Sequence, residues 1–450
     1  MFSELFVENK LFKELKHILG ERRMKYKDLK EELTCRKIKK PNPFIALIVH
    51  FCIWIISKIN RAKFVYEYDK KEYHKKPMIL LAGHASKLEF IYVLTGLGRR
   101  DVHIVCGYQH ICQKYIYPIM IRLGVIAKYL YQPDLNSAKQ MLRVVRDGRS
   151  LVLFPEGIQS TSGSNHPINP ATIDLLRISR LPVILCTSEG SYLTKTRYSK
   201  HKKKGKMTFR YQVLFTEEEV KTLSKEELYS RMLEKFAYND FEANRRNRVK
   251  FKGKTPNIEG LDNIIYRCPI CQKEFEMEVI GEEMTCHACG FTVKMNEYYD
   301  LLPVKGELPF EDIDQWYKWQ RRVLHKEVQN PDFALEMKTD LYTISDHSLK
   351  WKRNNHVFLG KGTVRMDLHT LEVRDEQGEV LLHCDMKAVY SLTFTMAGEL
   401  EFYYHNEYYV LSPKENPKQR IKWTIASEEI HNLGDPEWAK VSEDAYHYDA

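Results

Sequence analysis

Four short, unbroken apolar runs stand out in the first half of the chain. They are PMILLAG (77–83), VHIVCG (102–107), SLVLFP (150–155) and LPVILCT (181–187). Each is bounded by glycine, proline or charge, the pattern of strands buried on both faces of an α/β sheet. Helical patterns lie between them. The clearest begins after Asp134, a good N-cap, carries Leu135, Ala138, Leu142 and Val145 on one face, and stops at Gly148. Strand–helix–strand alternation predicts parallel crossovers, with functional groups at the carboxyl ends of strands.

The flanking pattern differs. Residues 1–40 read as polar, amphipathic helices. PFIALIVHFCIWII (43–56) comes next, only 14 residues long and containing His50. A membrane span needs roughly 20 residues. Lys39 and Lys40 precede the run, Lys58, Arg61 and Lys63 come after it, and Trp54 suits a water–lipid boundary. The run is expected to attach to a membrane as an interfacial or re-entrant segment, with a plain buried core helix as the alternative. Charge rises after residue 190, and RYSKHKKKGKMTFRYQVLF (197–215) reads as a loop or hairpin leading into one more strand. A helical stretch closes the first unit near residue 250, and FKGKTPNIEG (251–260) reads as a polar linker. FEDIDQWYKWQRRVLHKEV (310–328) is helical. From about 336, short alternating runs between glycine-bearing turns predict a small β-sandwich or barrel. Ile421, Trp423, Ile425 and Ile430 lie on a final helix suited to plug its open end. The predicted layout is 1–60, 61–250, 260–297, 298–335 and 336–450.

Composition narrows the class. At 450 residues the chain exceeds a single core. It is 43% hydrophobic and 29% charged, so it is globular. The formal net charge of +10, with clusters at 36–40 and 200–204, suits an anionic partner such as a phospholipid surface, an acidic carrier protein or nucleic acid. Of ten cysteines, six are scattered (Cys35, Cys52, Cys106, Cys112, Cys186, Cys384), which fits a reducing compartment rather than a secreted disulfide framework. The first residues are polar, without the apolar core of a signal peptide.

The other four cysteines, Cys268, Cys271, Cys286 and Cys289, give C-x2-C-x14-C-x2-C around a hairpin-like spacer. Four thiolates on two tight knuckles predict a structural zinc ribbon with no open catalytic position. His287 offers a competing nitrogen, but the cysteines already complete a tetrahedral set.

The chemistry gathers at strand ends. His84 stands just past the first buried strand, with Glu89 five residues on. The strand LVLF ends in Pro155-Glu156-Gly157. LPVILCT runs into Ser188-Glu189-Gly190. With FPEGIQS at 154–160 and LGVIAKYLY at 123–131, residues 60–240 resemble the glycerolipid acyltransferases of the lysophosphatidic acid acyltransferase (PlsC-like) type. That family pairs His-x4-Asp with Phe-Pro-Glu-Gly-Thr-Arg-Ser. The resemblance implies an α/β domain with a mostly parallel buried sheet and flanking helices. It also implies transfer of an acyl group from acyl-CoA or acyl-carrier protein to a lysophospholipid hydroxyl.

Residue roles come from chemistry and resemblance together. A neutral imidazole at His84 suits the removal of the hydroxyl proton, and Glu89 would orient it if a helix starts at Ser86. Ser86 would be that helix's N-cap. Backbone N–H groups near Gly157 and at that helix start are candidates for the oxyanion. Phe154, Pro155, Glu156, Gly157 and Gln159 match the family's acceptor-binding block. Two departures stand out: Glu89 where the family has aspartate, and Gln159 where it has an arginine thought to hold the acceptor's phosphate. Lys87, Arg122 or Lys128 are candidates to supply the missing charge.

The strand-rich tail resembles a pleckstrin-homology-like (PH-like) fold. The overall expectation is a membrane-associated O-acyltransferase on the cytoplasmic face of a bacterial cell membrane, with structural zinc and no nucleic-acid partner. The rival is a catalytically degenerate scaffold that binds membrane or partners through its zinc ribbon and PH-like tail.

Overall fold

In the computed structural model, which describes residues 33, 36–99, 101–111, 116–130, 134–344 and 356–446 (without the side chains of 436–438 and 444), the four apolar runs become neighbouring strands. The helices expected before residue 33, Cys35, Cys112 and residues 345–353 of the tail lie outside the described residues. The first sheet contains β1 (Ala62–Tyr66), β2 (Ile79–Ala82), β3 (Val102–Gly107), β4 (Ile126–Lys128), β5 (Ser150–Leu153), β6 (Val183–Glu189) and β8 (Met207–Phe215). Their order is β1-β8-β6-β2-β5-β3-β4. Every neighbouring pair is parallel except β6 with β8.

Alternation along each central strand fills two layers. Ile79, Leu81, Leu151, Leu153, Val183 and Leu185 point to one face. There they meet the helices Leu135–Arg146, Ala171–Ser179 and Lys225–Phe236 through Val144, Leu176 and Met232. Leu80, Ala82, Val152, Ile184 and Cys186 point to the other face, against Ile53 of the helix Pro43–Ile59 and Ile91 of the helix Glu89–Leu97. Each fully buried Leu or Ile contributes roughly 1.5–3 kcal/mol. The helix after Asp134 forms with that residue as its cap, at 3.1 and 3.0 Å to the N–H groups of Asn136 and Ser137. Its inner face is a correction. Val144, Val145, Ser137 and Gln140 are buried, whereas Leu135 is 74% exposed because it sits at the first helical position, pointing off the sheet.

The 43–56 run extends to a helix at Pro43–Ile59, capped by Asn42. Ala46, Ile53 and Ser57 are buried. Phe44, Leu47, Phe51, Trp54 and Ile59 are exposed, Phe44 by 65% and Ile59 by 74%. Among the described residues no helix is long and apolar enough to cross a membrane.

Residues 251–260 do not behave as a loose linker. Phe251 and Ile258 are buried, and Asn257 donates to the carbonyls of Phe251 and Asn296 at 3.2 and 3.0 Å. Lys203, from the second basic cluster, buries its stem and donates to Thr255 Oγ1 at 3.0 Å and the Pro256 carbonyl at 2.9 Å. A two-stranded ladder, β7 (Lys203–Lys204) with β9 (Lys252–Gly253), fastens the segment further. Polar composition here reflects backbone pairing rather than solvent.

The cysteine module is an antiparallel sheet of β10 (Met277–Ile280), β11 (Glu283–Cys286), β12 (Thr292–Met295) and β13 (Leu301–Lys305). The helix Ile313–Glu327 comes after it. Among the described residues the tail forms seven antiparallel strands: β14 (Ala334–Ile344), β15 (His356–Asp367), β16 (Thr370–Arg374), β17 (Val380–Asp385), β18 (Thr393–Phe394), β19 (Leu400–Tyr404) and β20 (Glu407–Pro413). Their order is β17-β16-β15-β14-β20-β19-β18, one continuous hydrogen-bonded sheet. β14 pairs with both β15 and β20 and shifts register between Leu341 and Tyr342, so one strand serves both halves. The helix Arg420–Gly434 buries Ile421, Trp423, Ile425 and Ile430 against it.

One core cluster runs through all of these parts. It joins Tyr192, Tyr198 and Phe241 beside the first sheet to Met284 and Val293 of the cysteine module, Trp316 of the connecting helix, and Val364 and Trp423 of the tail. The tail also touches the far edge of the first sheet, where Tyr403 OH donates to Gln109 Oε1 at 3.0 Å.

Candidate functional site

Strand register builds the site. Leu81 of β2 pairs with Leu153 of β5 on one side and with Leu185 of β6 on the other. Three residues beyond each partner stand His84, Glu156 and Ser188. Parallel strands in register therefore deliver all three at one level on one sheet edge.

Glu156 ties the loops together. Its Oε1 accepts the backbone N–H of His84 at 2.8 Å, and its Oε2 accepts that of His166 at 2.8 Å, with Tyr238 OH at 3.4 Å. The Ser160 N–H returns to the His84 carbonyl at 2.9 Å. The Phe154 ring lies 5.2 Å from the His84 imidazole. Gly157 takes a φ of 71°, in the left-handed region that glycine enters without strain. Its N–H closes a turn onto the Phe154 carbonyl at 3.0 Å, so that expected oxyanion donor is engaged.

Glu89 differs from expectation. The helix starts at Glu89 itself, with Leu88 at the cap position, so Ser86 is not its N-cap. Ser86 Oγ instead meets Ser191 Oγ at 2.9 Å. Glu89 Oε2 reaches back to the Ser86 N–H at 3.2 Å, and Oε1 accepts the Ser188 hydroxyl. Among the described residues no hydrogen bond joins Glu89 to His84, and His84 Nδ1 is buried with no partner. The carboxyl is instead engaged by the Ser86 N–H and the Ser188 hydroxyl, across a turn that the Glu89 N–H closes onto the Ser86 carbonyl at 3.1 Å.

Burial dominates the titration of the cluster. It pushes His84 down to about 4, aided by the Arg197 charge. It pushes His166 down to about 3, aided by Arg321 and Arg197. It lifts Glu156 to about 7 against the two N–H groups that it accepts, and lifts Glu89 well above the usual carboxylate range against Ser188 and Ser86. Both imidazoles are thus held toward their neutral, proton-accepting forms.

The proposed cations are spread over different elements. Lys87 is exposed on the turn after His84. Lys128 lies on β4, separated from β5 by β3. Arg122 is exposed and donates to the Pro118 carbonyl within its own helix at 3.1 Å. Instead, Arg197, eight residues after the end of β6, donates to Gln159 Oε1 at 3.4 Å. Its other nitrogen donates to the Phe394 carbonyl at 2.9 Å, and its guanidinium lies 4.8 Å from the Phe394 ring centre.

Residues far down the chain complete the surroundings. Asp314 Oδ1 accepts from Ser162 Oγ at 2.5 Å and Ser164 Oγ at 2.6 Å, pinning the loop after Gln159 to the connecting helix. The Tyr446 hydroxyl lies 3.0 Å from His166 Nδ1, and the Arg321 guanidinium lies 4.0 Å from the Tyr446 ring centre. Arg321 is held in turn by Glu428 and Glu429, each at 2.6 Å. No local sequence signal around Arg197 or His166 marks them. Arg197 opens a basic stretch in which charge is common, and the strand-end argument stops at Gly190.

The four module cysteines converge. Their sulfurs all lie within 4.8 Å of one another, with 3.7 Å for both Cys268–Cys289 and Cys271–Cys286. Each knuckle closes through a left-handed residue: Gln272 after the first pair, where its N–H meets the Cys268 carbonyl at 3.0 Å, and Gly290 after the second, where its N–H meets the Cys286 carbonyl at 2.8 Å. His287 turns its Nε2 to Glu278 at 2.7 Å and leaves the set to the thiols. The cluster is a candidate metal centre.

Residues 63–188 match the model of the family described as Acyltransferase. That stretch carries His84, Glu89, Phe154–Gly157, Gln159 and Ser188. No curated protein matches the chain. Among the solved structures that match is the crystal structure of the 1-acyl-sn-glycerophosphate (LPA) acyltransferase PlsC from Thermotoga maritima. It is 13% identical, with a TM-score of 0.35, over 43% of this chain and 76% of that one.

Proposed function

We propose that the chain is a membrane-associated O-acyltransferase. It moves an acyl group from an acyl thioester, acyl-CoA or acyl-carrier protein, to a hydroxyl of a lysophospholipid such as 1-acyl-glycerol-3-phosphate. The observation that carries this reading is the level delivery of His84, Glu156 and Ser188 by three neighbouring strands within the family-matched segment. His84 takes the acceptor's hydroxyl proton as the oxygen attacks the thioester carbonyl. The tetrahedral intermediate collapses with loss of the thiolate, which takes that proton from the imidazolium and leaves as the thiol. No covalent enzyme intermediate is required. Glu89 acts as a positioning residue: it holds Ser86 and Ser188, and through them the loop that presents His84.

The attachments fit the same reading. The exposed apolar face of Pro43–Ile59, flanked by lysines and arginine, suits an interfacial helix lying on the cytoplasmic leaflet of a bacterial membrane. The four thiols suit structural zinc: four sulfurs about 2.3 Å from one ion in a tetrahedron stand roughly 3.8 Å apart, against 3.7 Å between the paired sulfurs. The zinc would supply folding free energy to a module with little core of its own. The strand order of the tail and its closing helix support a PH-like unit.

The engagement of Glu89 away from His84 favours one rival, a degenerate scaffold that binds membrane or partners. Release of thiol from labelled acyl thioesters, with a panel of lysolipids as acceptors, separates the two. Transfer that is lost in a folded His84→Ala variant supports the enzyme. Equal release by the wild type and that variant overturns it.

A further inference from the structure

We propose that His166 is a second catalytic imidazole: its Nε2–H donates to the carbonyl oxygen of the acyl thioester as that oxygen becomes an oxyanion, and Tyr446 positions the ring for the task. The proposal rests on the acyltransferase reading and deepens it.

An oxyanion forms when the acceptor oxygen attacks a thioester, and it needs hydrogen-bond donors already in place. Several backbone groups at the strand ends are spent within the protein. The N–H of His84 goes to Glu156, that of Ser86 to Glu89, that of Gly157 to the Phe154 carbonyl and that of Ser160 to the His84 carbonyl. His166 differs. It is 5% exposed, and its Nε2 has no hydrogen-bond partner among the described residues. A buried polar nitrogen without a partner costs stability, so it points to a group that arrives with the substrate. His84 Nδ1 is orphaned in the same way. The two residues hang from one carboxylate, because Glu156 accepts both backbone N–H groups at 2.8 Å.

The end of the chain sets the second ring. The helix Pro436–Tyr446 finishes on Tyr446, whose hydroxyl lies 3.0 Å from His166 Nδ1. The Arg321 guanidinium lies 4.0 Å from the centre of the Tyr446 ring. A hydroxyl donated to Nδ1 leaves the ring proton on Nε2 and makes that nitrogen a donor. Burial, then the charges of Arg321 and Arg197, hold the ring neutral against the pull of the Gln159 carbonyl. A neutral imidazole can polarise a carbonyl without giving up its proton. The two rings therefore divide the work. The acceptor oxygen bonds to the thioester carbon, its proton passes to His84, and the carbonyl π pair moves onto the oxygen that His166 Nε2–H holds. Collapse re-forms the C=O bond and breaks the C–S bond, and the leaving thiolate takes the proton back from His84. His166 keeps its own proton throughout.

Full-length protein would be assayed with palmitoyl-CoA and a panel of lysolipids that includes 1-acylglycerol-3-phosphate. The amide of His166→Asn ends short of Nε2, so kcat should fall about a hundredfold to a thousandfold with KM little changed. His166→Gln carries an amide N–H out to the Nε2 position and should recover about tenfold of that loss. Tyr446→Phe should lower kcat about fivefold in the wild type. The same change should cost nothing further in His166→Asn, because Tyr446 acts through that ring. It removes a single oxygen, so it keeps the test alive even if the His166 variants melt early.

Equal losses in folded His166→Asn and His166→Gln, a loss confined to KM, or an unchanged kcat in Tyr446→Phe would overturn the proposal and leave the enzyme reading standing. A wild type that transfers nothing to any lysolipid of the panel would bring down the enzyme reading, and this assignment with it.

Discussion

Glu156 holds the backbone N–H of His84 at 2.8 Å through one carboxylate oxygen while its other oxygen holds the N–H of His166 at the same distance. One side chain thus sets the spacing of two loops that the chain separates by 82 residues (166 − 84). Glu156→Gln keeps the size but replaces one acceptor with an NH2 group that faces a backbone N–H. The expected outcome is a loss of about 1–3 kcal/mol in stability, with a larger fall in acyl transfer than the melting shift explains. Thermal melts beside kcat measurements check this, and an unchanged variant would remove Glu156 from the account of the site.

The pH dependence is set by His84. Its folded value is lowered to about 4 from an ordinary 6.5. The neutral, proton-accepting form therefore dominates above pH 4, and activity should fall as pH drops through about 4 rather than through 6.5. Over the window from 6.5 to 4 the unfolded chain binds a proton that the folded chain refuses, so His84 and His166 both weaken folding as pH falls. Glu156, raised to about 7, has the opposite sign, weakening folding as pH rises from 4.5 to 7. A pH–rate profile places the limb. Arg197→Ala should move it upward, because one depressing charge is removed.

The cysteine cluster predicts a measurable metal content. Purified protein should carry about one zinc per chain by elemental analysis. Cys268→Ser or strong chelation should release it and lower the Tm. Because Cys268, Met277 and Cys286 belong to the same core cluster as Tyr198 and Trp316, the loss should reach beyond the module and reduce acyl transfer too. A fully folded, metal-free chain would defeat the assignment.

The helix Pro43–Ile59 predicts surface binding that is separable from chemistry. Phe51→Asp with Trp54→Asp places two charges on its exposed face, where Phe51 and Trp54 stack at 6.2 Å. Co-sedimentation with anionic vesicles should drop at least tenfold. Transfer between detergent-dispersed substrates should persist. Retained vesicle binding would assign membrane contact to another face.

The sheet is legible in the sequence because its strands are buried on both sides and so read as uninterrupted apolar runs. The strand ends are legible for the same reason: once Leu81, Leu153 and Leu185 are in register, the residues just beyond them must meet. The direct Glu89–His84 hydrogen bond that the spacing predicts is not formed, because the Ser86 N–H and the Ser188 hydroxyl take the two carboxylate oxygens. Arg197, His166 and Tyr446 carry no sequence signal, since their place comes from contacts across the chain and not from any local period. The segment 251–260 misleads for a related reason. Polar residues that pair with backbone resemble polar residues that face water.

The shared core also dictates an order of events during synthesis. The strand-end site needs Arg197 against Phe394 and His166 against Tyr446, contacts that span 197 and 280 residues. Such long loop closures are slow to form. While the nascent chain is still on the ribosome, the first sheet can pair its strands, but Tyr198, Phe241 and Phe251 remain uncovered. Catalytic competence should therefore arrive late and abruptly, when the tail docks, and a chain stalled before β18 should be a client for chaperones rather than a slow enzyme.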